Sequence, residues 1–236
     1  MGDYELMNIF DTALQKYQQH SNTNNGNREK YRIINDVNTI LKEHFPFNTI
    51  NCIETGGSHN WKDGMMGLYY CYLSNLSNGV FHSVDINPSL HSKIIESFNT
   101  IDSSLPIQHT TSDSIDFLSS IDFSPNLVLL DSWDLDLTNP FPSALHGWRE
   151  FEAIKDKMVS GSIIVIDDNY MKGTWIEWVL GVDDNGHNIQ EFIGVKYPIV
   201  GKGAHVYQWI QDNDTDWKVI NKPIAGPKEQ IIIQKQ

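Results

Sequence analysis

From residue 49 onward, short apolar runs alternate with longer stretches whose apolar residues recur at helical spacing. Runs near 50–54, 81–86, 105–109, 126–130 and 162–167 have the length and the Ile, Val and Leu content of buried strands. The stretches near 62–77, 89–99, 113–120, 143–158 and 171–180 predict the helices between them. This alternation predicts an α/β fold: a Rossmann-like, mostly parallel, seven-stranded sheet with helices on both faces and right-handed crossovers. After residue 180 the pattern changes. Gln190–Tyr197 and His205–Ile210 flank the turn Gly201-Lys202-Gly203 and predict a C-terminal antiparallel hairpin.

Two helices precede the sheet. Tyr4–Gln19 spaces Leu6, Ile9, Phe10, Ala13, Leu14 and Tyr17 along one face, and the polar run Ser21–Asn27 breaks it. A second helix is expected over Tyr31–His44, with Ile33, Ile34, Val37, Ile40 and Leu41 inward and Phe45-Pro46 ending it. The organisation expected is a helical cap (1–45), a sheet-bearing domain (46–212) and a tail (213–236) containing the triplet Ile231-Ile232-Ile233. That triplet is expected to be a late edge strand or an interface element. Together with the first helix it offers a surface for a homodimer.

Composition narrows the class of partner. At 236 residues the chain suits one large domain. A net charge of -13 opposes attraction to a phosphate backbone, so nucleic acid is not expected as a partner. No apolar run approaches the roughly 20 residues that span a bilayer, and Met1–Leu6 lacks the basic and apolar regions of a signal peptide. A cytoplasmic protein without a membrane partner is expected. Cys52 and Cys71 both fall in apolar core segments and are expected to be reduced.

Candidate chemistry gathers at the ends of the strands. The first strand runs into Glu54-Thr55-Gly56-Gly57-Ser58, and the next ends at Asp85. The later ones run into Asp131 and into Asp167-Asp168-Asn169. In open α/β sheets ligands bind outside the carboxyl ends of the strands, so these acids are expected to border one crevice. Acids in such places also cap the following helices or bind loop amides. Both roles remain open from sequence alone.

The strand-turn pattern with Glu54-Thr55-Gly56-Gly57-Ser58 and Asp85 resembles the class I S-adenosylmethionine-dependent methyltransferases over about residues 30–210. The resemblance implies that Glu54, Thr55, Gly56, Gly57 and Ser58 lie against S-adenosylmethionine, that Asp85 receives the ribose hydroxyls, and that Asp113 and Ser114 border the adenine. A dinucleotide enzyme would also carry an acid after its second strand, but the Gly-x-Gly-x-x-Gly spacing of such enzymes is missing. A nicotinamide-dependent oxidoreductase is therefore the weaker alternative, beside a methyltransferase-like domain that binds a nucleoside or a partner without catalysis.

Asp131 after the fourth strand and Asp168-Asn169 after the fifth resemble the metal set of the cation-dependent O-methyltransferases. The resemblance implies that Asp131, Asp168 and Asn169 hold Mg²⁺ or another divalent cation, for which hard oxygen ligands are suited. The lysine base that those enzymes carry three residues after the first acid is Asp134 here. Candidate catalytic residues are accordingly Asp131, Asp134 and His146, the last a side chain that titrates near neutrality. His59-Asn60-Trp61-Lys62-Asp63-Gly64 resembles a subgroup that tailors antibiotics and polysaccharides, which implies that His59, Trp61 and Asp63 border the cofactor. Trp133, Trp148, Trp175 and Trp178 cluster around the later loops and suit a sugar-like or natural-product hydroxyl as the acceptor.

Overall fold

The computed structural model of the chain describes residues 8–21, 28–45, 49–57, 66–105, 107–213, 215–221 and 229–236. Its elements are helices α1 (Ile9–Ser21) and α2 (Arg28–His44), strand β1 (Cys52–Thr55), α3 (Met66–Leu76), β2 (Phe81–Asp85), α4 (His91–Asn99), β3 (Ile107–Thr111), α5 (Ser114–Ser120), β4 (Leu127–Leu130), α6 (Phe141–Ile154), β5 (Ile163–Met171), β6 (Trp175–Val182), β7 (Asn188–Gly194), β8 (Ile199–Gly201), α7 (Ala204–Asp212), β9 (Trp217–Val219) and β10 (Glu229–Lys235).

The main sheet has the order β3-β2-β1-β4-β5-β10-β9, with β8 paired to the end of β5. Strands β1 to β5 are parallel, while β10 runs antiparallel to both β5 and β9. Near-continuous apolar strands are what a sheet covered on both faces requires. Alternate residues accordingly enter opposite cores: Cys52, Leu127, Leu129, Ile163, Val165 and Ile232 meet α1–α4 on one face. Ile53, Val128, Leu130, Ile164, Ile166, Ile231 and Ile233 meet α5–α7 on the other. Among the described residues no helix is long and apolar enough to cross a membrane.

Helix α1 buries Phe10, Ala13 and Tyr17 within the first of these cores. Ile231–Ile233 are equally buried, in β10, which lies between β5 and β9 and so is interior to the sheet.

Two expected elements change type. Residues 175–180, the greater part of the helix expected over 171–180, belong instead to β6, which pairs with β7 in a separate two-stranded ribbon. The β-branched and aromatic content of Trp175-Ile-Glu-Trp-Val179 and the nearby Gly173 favour the strand. Conversely, 205–210, expected as a strand, form part of α7. Val206 and Ile210, four apart, are its buried residues, and Trp209 packs against Phe151 and Trp148 of α6. The antiparallel C-terminal strands are therefore β9 and β10, while β7 belongs to the ribbon.

Candidate active site

The chain passes from β1 outward through β2 to β3, then returns to place β4 on the other side of β1. Strand order thus reverses between β1 and β4, where a ligand crevice is expected. Gly56 ends β1 at φ +70, a backbone region open to glycine. A Cβ on Gly56 would lie 2.5 Å from the carbonyl oxygen of Asp131 at the tip of β4. On Gly57 it would lie 2.5 Å from Ser83 Oγ and 3.7 Å from the Cβ of Asp85, both on β2. The two glycines let the turn press between the tips of β2 and β4.

Asp85 stands beside that turn, with one carboxylate oxygen accepting from the Asn87 amide at 2.7 Å. Glu54 is buried against α3, where a Cβ on Gly67 would come within 2.8 Å of its Oε2. Thr55 is fully buried and its carbonyl accepts from the Asp131 amide. Ser58, His59, Trp61 and Asp63 lie outside the described residues.

After β3, Asp113 is the N-cap of α5, its Oδ1 accepting from the amides of Ile115 and Asp116 at 2.9 and 3.2 Å. Its neighbour Ser114 enters a polar cluster. Ser114 Oγ lies 3.1 Å and Ser132 Oγ 2.9 Å from His146 Nε2, and Ser132 donates to Glu150 Oε1 at 2.6 Å. Burial pushes the Glu150 carboxyl up, although its hydrogen bond from Ser132 and the charge of His146 oppose this. Trp133, at φ +67, stacks on the His146 ring with centroids 5.3 Å apart. Of the other tryptophans, Trp148 packs with Phe151 and Trp209, while Trp175 and Trp178 lie on β6.

Of the expected metal set, Asp131 and Asp168 come together, but around a lysine, and Asn169 does not join them. Lys202, brought in by the pairing of β8 with the end of β5, inserts its ammonium between the acids. Its Nζ lies 2.6 Å from Asp131 Oδ1, 3.1 Å from Asp168 Oδ2 and 2.9 Å from the Asp131 carbonyl oxygen. Asn169 is turned away: its Oδ1 accepts from the Gly203 amide at 2.8 Å and its Nδ2 donates to the Ile166 and Asp167 carbonyls. An ammonium already fills the space between the two carboxylates, and the amide oxygen is spent on the backbone. Among the described residues no three His, Cys, Asp or Glu side chains converge to hold a metal ion.

The electrostatics follow from this packing. Burial and the charge of Asp167 lift the Asp131 carboxyl to about 7, against the pull of Lys202. Burial alone would lower the Lys202 ammonium, but Asp131 and Asp168 outweigh it and hold it above its usual value. Lys202 is 2 % exposed, so it is a buried cation whose charge is matched by partners. Two glycines admit it. A Cβ on Gly201 would run into the Asp168 carbonyl, and one on Gly147 of α6 into the Lys202 carbonyl.

Beside these acids lies a cavity of about 290 Å³ lined by Asp134, Leu135, Leu137, Asp168 and Tyr170. Leu135 and Leu137 also pack on Tyr170, Ile176 and Val195, which ties the cavity wall to the foot of the β6–β7 ribbon. Asp168 sits at φ +53. Unusual backbone at both Trp133 and Asp168 marks the mouth of this crevice as a place where packing overrides local preference.

No family model matches the sequence, and no curated protein is similar enough to match it. Solved structures do resemble it. An S-adenosylmethionine-dependent methyltransferase from Clostridium acetobutylicum superposes with a TM-score of 0.52 over 97% of this chain and 99% of that one, at 10% identity. An rRNA methylase from Streptococcus thermophilus gives 0.52 over 88% and 96%, at 8% identity. A methyltransferase homologue from Pyrococcus horikoshii gives 0.53 over 86% and 67%, at 9% identity. The fold is that of the class I methyltransferases. Within it, Gly56, Gly57 and Asp85 lie together at the tips of β1 and β2, whereas Lys202, Ser132 and Glu150 were not foreseen. Lys202 read as part of a turn because it lies between two glycines.

Proposed function

We propose that the chain transfers the methyl group of S-adenosylmethionine to a hydroxyl of a small, sugar-like or natural-product acceptor. The observation that carries this reading is the Gly56-Gly57 turn. It is pressed between the tips of β2 and β4 with Asp85 beside it, so that no Cβ from either glycine would stand between the backbone and a nucleoside. Asp85 would accept from the ribose hydroxyls through charge-assisted hydrogen bonds.

The acceptor would enter the cavity beside Asp134, Asp168 and Tyr170, with exposed Trp133 as a flat surface for a sugar or ring. The hydroxyl oxygen attacks the methyl carbon in line, the carbon–sulfur bond breaks, and S-adenosylhomocysteine leaves uncharged. The hydroxyl proton must go to a base. Asp131 suits that task because its carboxyl is lifted to about 7, so it is largely ionised just above neutrality yet holds a proton well. Lys202 fixes its orientation through Oδ1. His146, bound to Ser132 and Ser114, supports the loop that carries Asp131. The divalent cation expected from the sequence takes no part in this reading, since its ligands are committed elsewhere.

An RNA acceptor, suggested by the name of one structural neighbour, is disfavoured by the net charge of -13. Calorimetric titration of S-adenosylhomocysteine into the protein tests the cofactor half. Binding that weakens roughly 10- to 100-fold in Asp85→Ala is expected from the loss of hydrogen bonds to a charged group, about 1.5–3 kcal/mol. No binding to the wild type would overturn the assignment, and a thermal shift with NAD instead would favour the oxidoreductase alternative.

A further inference from the structure

We propose that Lys202 is a built-in replacement for a divalent cation: its ammonium fills a three-oxygen site at the ends of β4 and β5 that becomes a metal site once the side chain is removed. The inference rests on the ion-pair geometry alone and not on the identity of the acceptor.

Three oxygens already aim at one point. Asp131 Oδ1, the Asp131 carbonyl and Asp168 Oδ2 surround Nζ at 2.6, 2.9 and 3.1 Å. An ammonium has three N–H donors and no acceptor, so these contacts match its full capacity. The same oxygens, two of them from carboxylates, are hard ligands of the kind that Mg²⁺ or Mn²⁺ takes, with waters completing the shell. These distances exceed Mg²⁺–oxygen lengths of about 2.0–2.1 Å by about 0.5–1.1 Å, a gap that side-chain adjustment closes for the carboxylates. The site is also held from outside. β8 pairs with β5 through Asn169↔Gly201, and Gly203 donates to Asn169 Oδ1, so the backbone on both sides of Lys202 is fixed without help from its own ion pairs. Removing the side chain beyond Cβ would therefore vacate the centre of the oxygen set and leave its walls standing. In the natural chain the ammonium, 2 % exposed and bonded to all three oxygens, excludes a competing cation.

The test is Mn²⁺ binding, followed by electron paramagnetic resonance and calorimetry on the full chain. The wild type is expected to bind no Mn²⁺ at these carboxylates up to millimolar concentration. Lys202→Ala is expected to bind one Mn²⁺ at least tenfold more tightly, at about 10⁻⁴ M, the weak end of oxygen-ligand sites. Mn²⁺ or Mg²⁺ should also raise the unfolding temperature of Lys202→Ala and not that of the wild type. Lys202→Ala/Asp168→Asn should lose both effects. Folded Lys202→Ala with no gain of binding would overturn the proposal. So would wild-type binding that disappears in Asp168→Asn, a result that needs no lysine variant and decides the matter even if Lys202→Ala cannot be purified.

Discussion

The glycine turn allows a quantitative test because its two glycines are excluded from substitution for different reasons. In Gly56→Ala the new Cβ meets the carbonyl oxygen, the carbonyl carbon and the next amide nitrogen of the β4 tip at 2.5, 2.6 and 2.7 Å, all backbone atoms. Relief requires moving the strand end that carries Asp131. The backbone at φ +70 adds the left-handed penalty of about 1–2 kcal/mol for a residue with a side chain, and overpacking adds about 1–3 kcal/mol. The sum is roughly 2–5 kcal/mol, or about 4–20 °C of unfolding temperature for a chain of this size. Gly57→Ala meets no backbone atom among its nearest contacts. It meets Ser83 Oγ at 2.5 Å, then Ile94 Cδ1 at 3.4 Å and the Asp85 Cβ at 3.7 Å. Deleting that hydroxyl should therefore rescue it: Gly57→Ala/Ser83→Ala is expected to regain most of the roughly 1–3 kcal/mol that Gly57→Ala loses. Thermal unfolding, with S-adenosylhomocysteine affinity alongside, measures both. An unchanged Gly56→Ala protein, or a double variant no better than Gly57→Ala, would refute the close-approach account of this turn.

Three further outcomes separate catalysis from scaffolding. If Asp131 takes the acceptor proton, kcat/KM should rise with pH through about 7 and level off above it. Asp131→Asn should flatten that profile and lower the plateau by at least about 100-fold. The sign for stability is opposite: a carboxyl raised above its usual value near 3.9 favours the fold most when protonated. Asp131's contribution to stability should thus be greatest in acid and decline as pH rises through about 7, which urea unfolding at several pH values would show. Asp113→Ala should cost about 0.5–2 kcal/mol of stability by removing the α5 cap while changing S-adenosylhomocysteine affinity little. A tenfold loss of affinity with unchanged stability would restore Asp113 to the adenine site.

The centre of the parallel sheet was legible because β1, β4 and β5 are mainly apolar, buried runs that lead into a glycine or an acid, whereas the edge strand β3, Ile107-Gln-His-Thr-Thr111, is mostly polar and only partly buried. Residues 171–180 and 205–210 were harder, since short apolar and aromatic segments fit either periodicity. Only tertiary contacts decide them: β7 beside β6 in one case, and α6 beneath Val206, Trp209 and Ile210 in the other. The acids of the crevice were equally visible, but their partners were not. Lys202 reaches Asp131 across 71 residues of chain, a separation that no local pattern encodes. Asn169 shows the limit most clearly. Its residue type fits a metal ligand, yet its direction is set by the Gly203 amide on a segment that the sequence assigned to a hairpin turn.

The lysine also bears on which role Asp131 can fill. A carboxylate bound to a divalent ion has its charge committed and its pKa held down, so it serves as a ligand and makes a poor base. With an ammonium there instead, partial burial and the nearby charge of Asp167, joined by that of Asp168, outweigh the pull of Lys202 and lift the Asp131 carboxyl to about 7. Methyl transfer converts a sulfonium cation into a neutral thioether while the acceptor sheds a proton. Fixed negative charge near sulfur would favour the reactant over the transition state and slow the step. In the proposed reaction a proton arriving on Asp131 would cancel its charge as the acceptor reacts, while Lys202 offsets that of Asp168. On the proposed function, an ammonium in place of a metal at the ends of β4 and β5 would make Asp131 a proton acceptor instead of a ligand.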